Sequence, residues 1–203
     1  MSALKLLTTL AIIASALVAG CMSTPTPAPI LLTLPPAVAA ATVPAAPAAA
    51  APLLGVRRVV IPEYMQARRV RYRADPSTLA EWPNTFWAER IEIGVSREFV
   101  SALRQQLPGW QLCDAGCADQ QPALSLQVEL VPMDYVRSTR RLQARARLVL
   151  SSPANPPKEL KTQDLSFEVS ASADTAQAQA EAITELLRQA AQAAALLVRE
   201  LPR

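Results

Sequence analysis

Histidine is missing from all 203 residues of the chain. Its absence removes His-based triads and the commonest zinc ligand sets. Glycine is nearly as scarce, at five residues, and none sits in the Gly-rich turn that cradles phosphate. Lysine occurs only as Lys5, Lys158 and Lys161, so a serine nucleophile has no histidine and no well-placed lysine to activate it. Carboxylates stand singly, at Glu63, Glu89, Glu92, Glu98, Glu129 and Glu168. These shortages argue against an enzyme, and no cofactor is expected. A formal net charge of +3, one unit of it from Lys5, sets up no strong field for nucleic acid.

Cysteine is also sparse, and its placement carries the organisation of the chain. Lys5 is followed by an apolar run from Leu6 to Leu17, then Val18-Ala19-Gly20-Cys21. A charged start, a short apolar middle and small residues at the end describe a secretory leader. The run is shorter than the ~20 apolar residues that a membrane span needs. Cysteine directly after Ala19-Gly20 resembles the bacterial lipobox, in which residues 1–20 are removed and Cys21 becomes an acylated N-terminus. The plainer alternatives are an ordinary leader followed by an incidental cysteine, or an uncleaved anchor. Two or more acyl chains hold a protein stably at a membrane, whereas one does so only marginally. Met22 after the cysteine, rather than aspartate, resembles the outer-membrane sorting signal of enteric lipoproteins.

The other two cysteines, Cys113 and Cys117, flank Asp114-Ala115-Gly116. In an oxidising compartment a local disulfide is the default for such a pair, with free thiols as the alternative. Asp114 and Asp119 add too few ligands for a metal site.

Residues 21–29 are rich in proline and read as a tether; residues 30–203 read as one domain. Ile30–Leu34 is compatible with a short strand. Residues 35–52 are nearly all Ala, Pro and Val, and proline at that density blocks helix and central strand alike. This segment reads as an extended loop.

Strands are expected over Val56–Ile61 and Arg69–Arg73, with a turn at Glu63–Gln66. Asp75-Pro76-Ser77 and Trp82-Pro83-Asn84 punctuate the connection that follows. Trp87, Ile91, Val95, Phe99, Leu103 and Leu107 recur every four residues, which predicts a helix over Thr85–Leu107 with one core-facing stripe. Gly94 inside it would be a place of close approach to the sheet. Leu124–Leu130, Arg141–Leu150 and Asp164–Val169 alternate with period two, as antiparallel strands covered on one side do. A last helix opens at Asp174 as N-cap, with a buried face of Ala180, Ile183, Leu187, Ala190, Ala194 and Leu197. The fold expected is α+β: a mainly antiparallel sheet with two helices packed on one face.

Two sets of side chains admit more than one role. Arg137, Arg140, Arg141, Arg145 and Arg147 would lay a positive stripe on the solvent face of the middle strand. It could meet anionic headgroups or an acidic partner, or simply pair across strands with Glu129 and Glu168. Trp87 either anchors the core or faces a partner.

Val59-Val60-Ile61-Pro62-Glu63-Tyr64-Met65, then Val70-Arg71-Tyr72-Arg73, then Trp87-Ala88-Glu89, resemble in order the ABC-type transport auxiliary lipoprotein family. The likeness covers about residues 30–201. Met65 stands where the family has leucine, and Arg90-Ile91 where it has Pro-Leu. The resemblance implies a periplasm-facing α/β domain anchored at the outer membrane. Its implied partners are an MCE-domain protein, an inner-membrane permease/ATPase and outer-membrane lipids, in lipid transport between membranes. Arg73, Trp87 and Glu89 match motif positions and are candidate contacts, as are Arg141, Arg145 and Arg147. A homo-oligomer is left open. The competing reading is a structural envelope lipoprotein that binds peptidoglycan or braces a secretion assembly.

Overall fold

The structure, a computed structural model, describes residues 27–37, 51–114 and 121–201. The leader (1–20), Cys21, most of the tether, residues 38–50 of the proline-rich loop, and Cys117 lie outside the described residues.

The elements run β1 (Ile30–Leu32), β2 (Leu53–Val56), a 3-10 turn (Glu63–Gln66), β3 (Arg69–Asp75), β4 (Thr78–Trp87), α1 (Ile91–Gln106), β5 (Gln111–Cys113), β6 (Leu124–Val136), β7 (Arg141–Ser152), β8 (Lys158–Ser170) and α2 (Ala176–Arg199). The fold is α+β, as the periodicities predicted. The eight strands of the described residues form one mixed sheet. The long ladders β6–β7, β7–β8 and β3–β4 are antiparallel; the short ones, β1–β4, β2–β5, β2–β6 and β3–β6, are parallel.

β6 is the spine. Along one edge it pairs with β7; along the other it takes β2 at Leu124–Leu126, a lone bridge from Val60 at Glu129, and β3 at Val136. Its inward residues Leu126, Val128, Leu130, Met133 and Tyr135 are essentially inaccessible. The alternation slips between Leu130 and Met133. Pro132 has no N–H to give to a ladder, so the strand bulges there.

The α1 stripe of Ile91, Val95, Phe99 and Leu103 is buried as its four-residue spacing requires. The expected start at Thr85 is wrong. Thr85 and Trp87 belong to β4, and α1 begins at Ile91. The cause is a wide bulge: Arg71 pairs with Glu81 but Arg69 with Phe86, so β4 spends five residues where β3 spends two. Pro83 falls inside the bulge, where no ladder needs its N–H, and Asn84 takes φ 50°, a left-handed value that asparagine tolerates. A sequence that looked like turn punctuation is thus a kinked strand. Likewise, the strand expected over Val56–Ile61 is β2 followed by the single bridge at Val60.

α2 packs on β7, β8 and α1. Its small buried face lets a 24-residue helix lie close on the sheet. Thr175, not Asp174, is its N-cap: the Thr175 hydroxyl oxygen accepts from the Ala178 N–H at 3.1 Å. Gly94 does not serve approach to the sheet. A Cβ there would lie 3.3 Å from Glu89 Oε1 and 3.7 Å from Leu34 Cδ1, so the missing side chain makes room for those two. Among the described residues no helix is long and apolar enough to cross a membrane.

Candidate functional site

Side chains that could act on a ligand or partner collect at three places: two polar networks under β3 and β4, the outer face of β6–β8, and an apolar pocket at the far end of the sheet.

Arg73 sits in the first network. Its Nη2 donates to Asp134 Oδ1 at 2.9 Å and its Nη1 to the Pro76 carbonyl at 3.1 Å. The Tyr64 hydroxyl donates to the same Asp134 oxygen at 2.9 Å, and the guanidinium lies 5.9 Å from the Tyr64 ring centroid. Burial first, and the Asp134 carboxylate second, push the Tyr64 phenol above its ordinary range. Asp134 holds the Arg73 guanidinium more firmly charged than usual. Arg73 therefore ties β3 to β6 and the 3-10 turn.

Beside it, Arg137 donates to Asp174 from Nε and Nη2 and to the Tyr72 hydroxyl from Nη1 at 2.8 Å. Its guanidinium lies 4.4 Å from the Trp82 ring centroid and 4.9 Å from that of Tyr72. Below the ring, Trp82 Nε1–H donates to Gln179 Oε1 at 2.7 Å, and Gln179 Nε2 donates to the Arg71 carbonyl at 2.7 Å. Gln179 is completely inaccessible. Here Asp174, expected to cap α2, is drawn off by Arg137.

Trp87 and Glu89 lie at the β4–α1 junction. Trp87 is buried in the core. Glu89 accepts two hydrogen bonds from Arg97, both at 2.8 Å, and these hold its carboxyl below the usual glutamate range. Arg97 Nε also donates to Glu98 at 2.9 Å, and Glu98 accepts from the Ala37 N–H at 2.9 Å. Glu89 thus fastens the β4–α1 junction to α1, and Glu98 fastens the segment after β1 to the same helix.

The outer face of β7 carries Arg141, Arg145 and Arg147 in alternation. Arg141 pairs with Glu168, which also accepts from Gln143 Nε2 at 2.9 Å. The register sets Glu129 and Asp164 on either side of Arg147, and Ser166 opposite Arg145. Of the cross-strand pairs expected, Arg141 makes the one with Glu168, whereas neither Arg145 nor Arg147 closes an ion pair among the described residues. The β6 bulge leaves a depression of about 410 Å³ beside these two free cations and the exposed Val131.

Sequence reasoning missed the third place. Ends of α1, β2, β6, β8 and α2 enclose a pocket of about 680 Å³ lined by Trp110, Leu124, Leu160, Val198 and Leu201, with Arg199 on its wall. Trp110 just past the helix-ending Pro108-Gly109 was the one signal. The described residues hold no cluster of three or more Cys, Asp or Glu that could share a metal ion. What these surfaces can do is bind.

The sequence profile of the ABC-type transport auxiliary lipoprotein component family matches residues 32–195. The chain belongs to that family. No curated protein matches it. Among solved structures, that of an uncharacterized protein superposes with a TM-score of 0.67 at 17% identity, covering 85% of this chain and 99% of the other. A protein from Xanthomonas campestris superposes with a TM-score of 0.58 at 15% identity, covering 77% and 91% respectively. At such identities these two share the fold. Family membership makes this chain a transport-associated lipoprotein of the envelope.

Proposed function

We propose that the chain is a non-catalytic component of an MCE/ABC-type lipid transport system, anchored at the outer membrane through an acylated Cys21 and facing the periplasm. Residues 1–20 are its leader, 21–29 its tether and 30–203 its working domain. A permease/ATPase in the inner membrane supplies the driving force, and an MCE-domain protein meets this domain. The observation that carries the reading is the family match over residues 32–195, behind a lipobox-like Gly20-Cys21. The unpaired cations Arg145 and Arg147, with the exposed Val131 at the β6 bulge, support a partner contact on the outer sheet face. Cys113 and Cys117 are proposed to close a local disulfide after β5, which resists alkylation until a reductant is added.

A photo-crosslinking residue at Arg145 or Arg147 in the full acylated chain tests the partnership. Capture of an MCE-domain protein in intact cells is the expected result. Repeated failure from these positions and from positions across α1 and α2 would sink the proposal.

A further inference from the structure

The apolar pocket belongs to none of the networks that hold the sheet together. It lies at the end where β6 begins and α2 finishes, away from Arg73 and Arg137. Three local features shape it. Leu107-Pro108-Gly109 ends α1, and the Trp110 N–H bonds back to the Leu107 carbonyl at 3.0 Å, a turn after which Trp110 lines the pocket. In β8 the register slips: Lys161 faces Leu150 but Glu159 faces Ser151, so Leu160 is the extra residue of a bulge. Such a bulge re-aims a side chain, and Leu160 lines the pocket while 40% exposed. The final turn of α2 supplies Val198, and Leu201 follows just past the helix end.

Its walls are aliphatic and aromatic, and among the described residues the one charged side chain on them is Arg199. Arg199 donates to the Gln106 carbonyl and pairs with no carboxylate among the described residues. The pocket therefore offers an apolar volume with an uncompensated cation at its wall. A pocket of about 680 Å³ falls within the usual size range for small-molecule sites. A peptide would bring backbone N–H and C=O groups that these walls leave unpaired, which is costly. A methylene chain brings none, and an anionic head satisfies Arg199.

We infer that this pocket holds a single acyl chain of an anionic phospholipid, with Arg199 on its phosphate. The inference rests on the lipid-transport reading and gives it a place in the molecule: the domain takes hold of cargo rather than serving only as a dock. The chain is buried among Trp110, Leu124, Leu160 and Val198, and the head stays at the mouth. Each further methylene that fits strengthens binding about fourfold, until the pocket is full.

The test uses the full acylated chain in phosphatidylethanolamine vesicles doped with phosphatidylglycerol that carries a photoreactive group at one acyl terminus. Expected are adducts on the peptides containing Trp110, Leu160 and Leu201. Ala123→Trp, which fills the pocket from an exposed position, lowers them at least tenfold. Leu160→Asn, at a site that tolerates polarity, lowers them independently should the first variant misfold. Arg199→Gln weakens labelling by the phosphatidylglycerol probe and leaves that by a phosphate-free diacylglycerol analogue unchanged. Adducts spread over the outer face of β7, or adducts unaffected by both Ala123→Trp and Leu160→Asn, overturn the pocket and leave the transport reading intact. No labelling at all also overturns it, and the transport reading is then decided by MCE-protein capture alone.

Discussion

Gln179 is the most exacting test of how the domain is held together. It is a polar side chain on the buried face of an alanine-rich helix, with no solvent contact, and it joins three elements. Its carboxamide accepts from the Trp82 indole and donates to the Arg71 carbonyl. Gln179→Leu keeps the volume and removes both partners at once. A buried polar group left unpaired costs about 1–3 kcal/mol, and two are orphaned. Burial of the extra apolar surface returns about 1–2 kcal/mol. The net loss expected is about 2–4 kcal/mol, or about 5–12 °C in melting temperature for a domain of this size. Urea unfolding followed by tryptophan emission measures it. Trp82→Phe in the same background removes the orphaned donor while keeping the ring under Arg137. The double variant should therefore lose less than the sum, by about 1–2 kcal/mol. A loss below about 1 kcal/mol, or strict additivity, refutes the network as a source of stability.

Thr175→Ala should cost about 1 kcal/mol through loss of the α2 cap, whereas Asp174→Ala should cost less; the reverse ranking in thermal melts would return the cap to Asp174. Arg97 holds the Glu89 carboxyl below its unfolded range, so its contribution is complete at neutral pH and disappears as pH falls through the lowered folded value. Glu89→Gln should accordingly lower stability at pH 7 and flatten the acid limb of a stability-versus-pH curve, and an unchanged limb would count against the pairing. Cys21→Ser should strip the acyl mass and release the chain from the membrane fraction, both read by mass spectrometry and fractionation; retention at the membrane would end the lipobox reading.

Much of this architecture was legible because it rests on periodicity. Leu126-Val128-Leu130, Leu142-Ala144-Ala146 and Leu165-Phe167-Val169 alternate, and the Ile91-Val95-Phe99-Leu103 stripe steps by four; each pattern names its own buried face. β4 was not legible, because Pro83 and Asn84 serve a bulge as well as they serve a turn. The cap was ambiguous because Asp174 and Thr175 are adjacent good caps, and only the approach of Arg137, 37 residues away, separates them. Nothing local marks Gln179 for burial, since its partners are 97 and 108 positions away. The apolar pocket was hidden for the same reason: five chain segments meet to form it, and each alone reads as an element ending.

The doubly occupied edge of β6 has a consequence for the order in which the chain becomes structured. The β6–β7–β8 meander is built from neighbours joined by short turns and closes its own loops cheaply. β2, Val60 and β3 cannot dock on β6 until residues 124–136 exist beside them, because those pairings are parallel and long-range. A chain that emerges N-terminus first must therefore keep its first half waiting, with the apolar face of Leu54, Val56, Val59 and Ile61 uncovered until the second half arrives. Pulse-labelled hydrogen exchange during refolding should show amides of β7 protected before those of β2. That delay defines the interval in which the uncovered apolar face is open to aggregation.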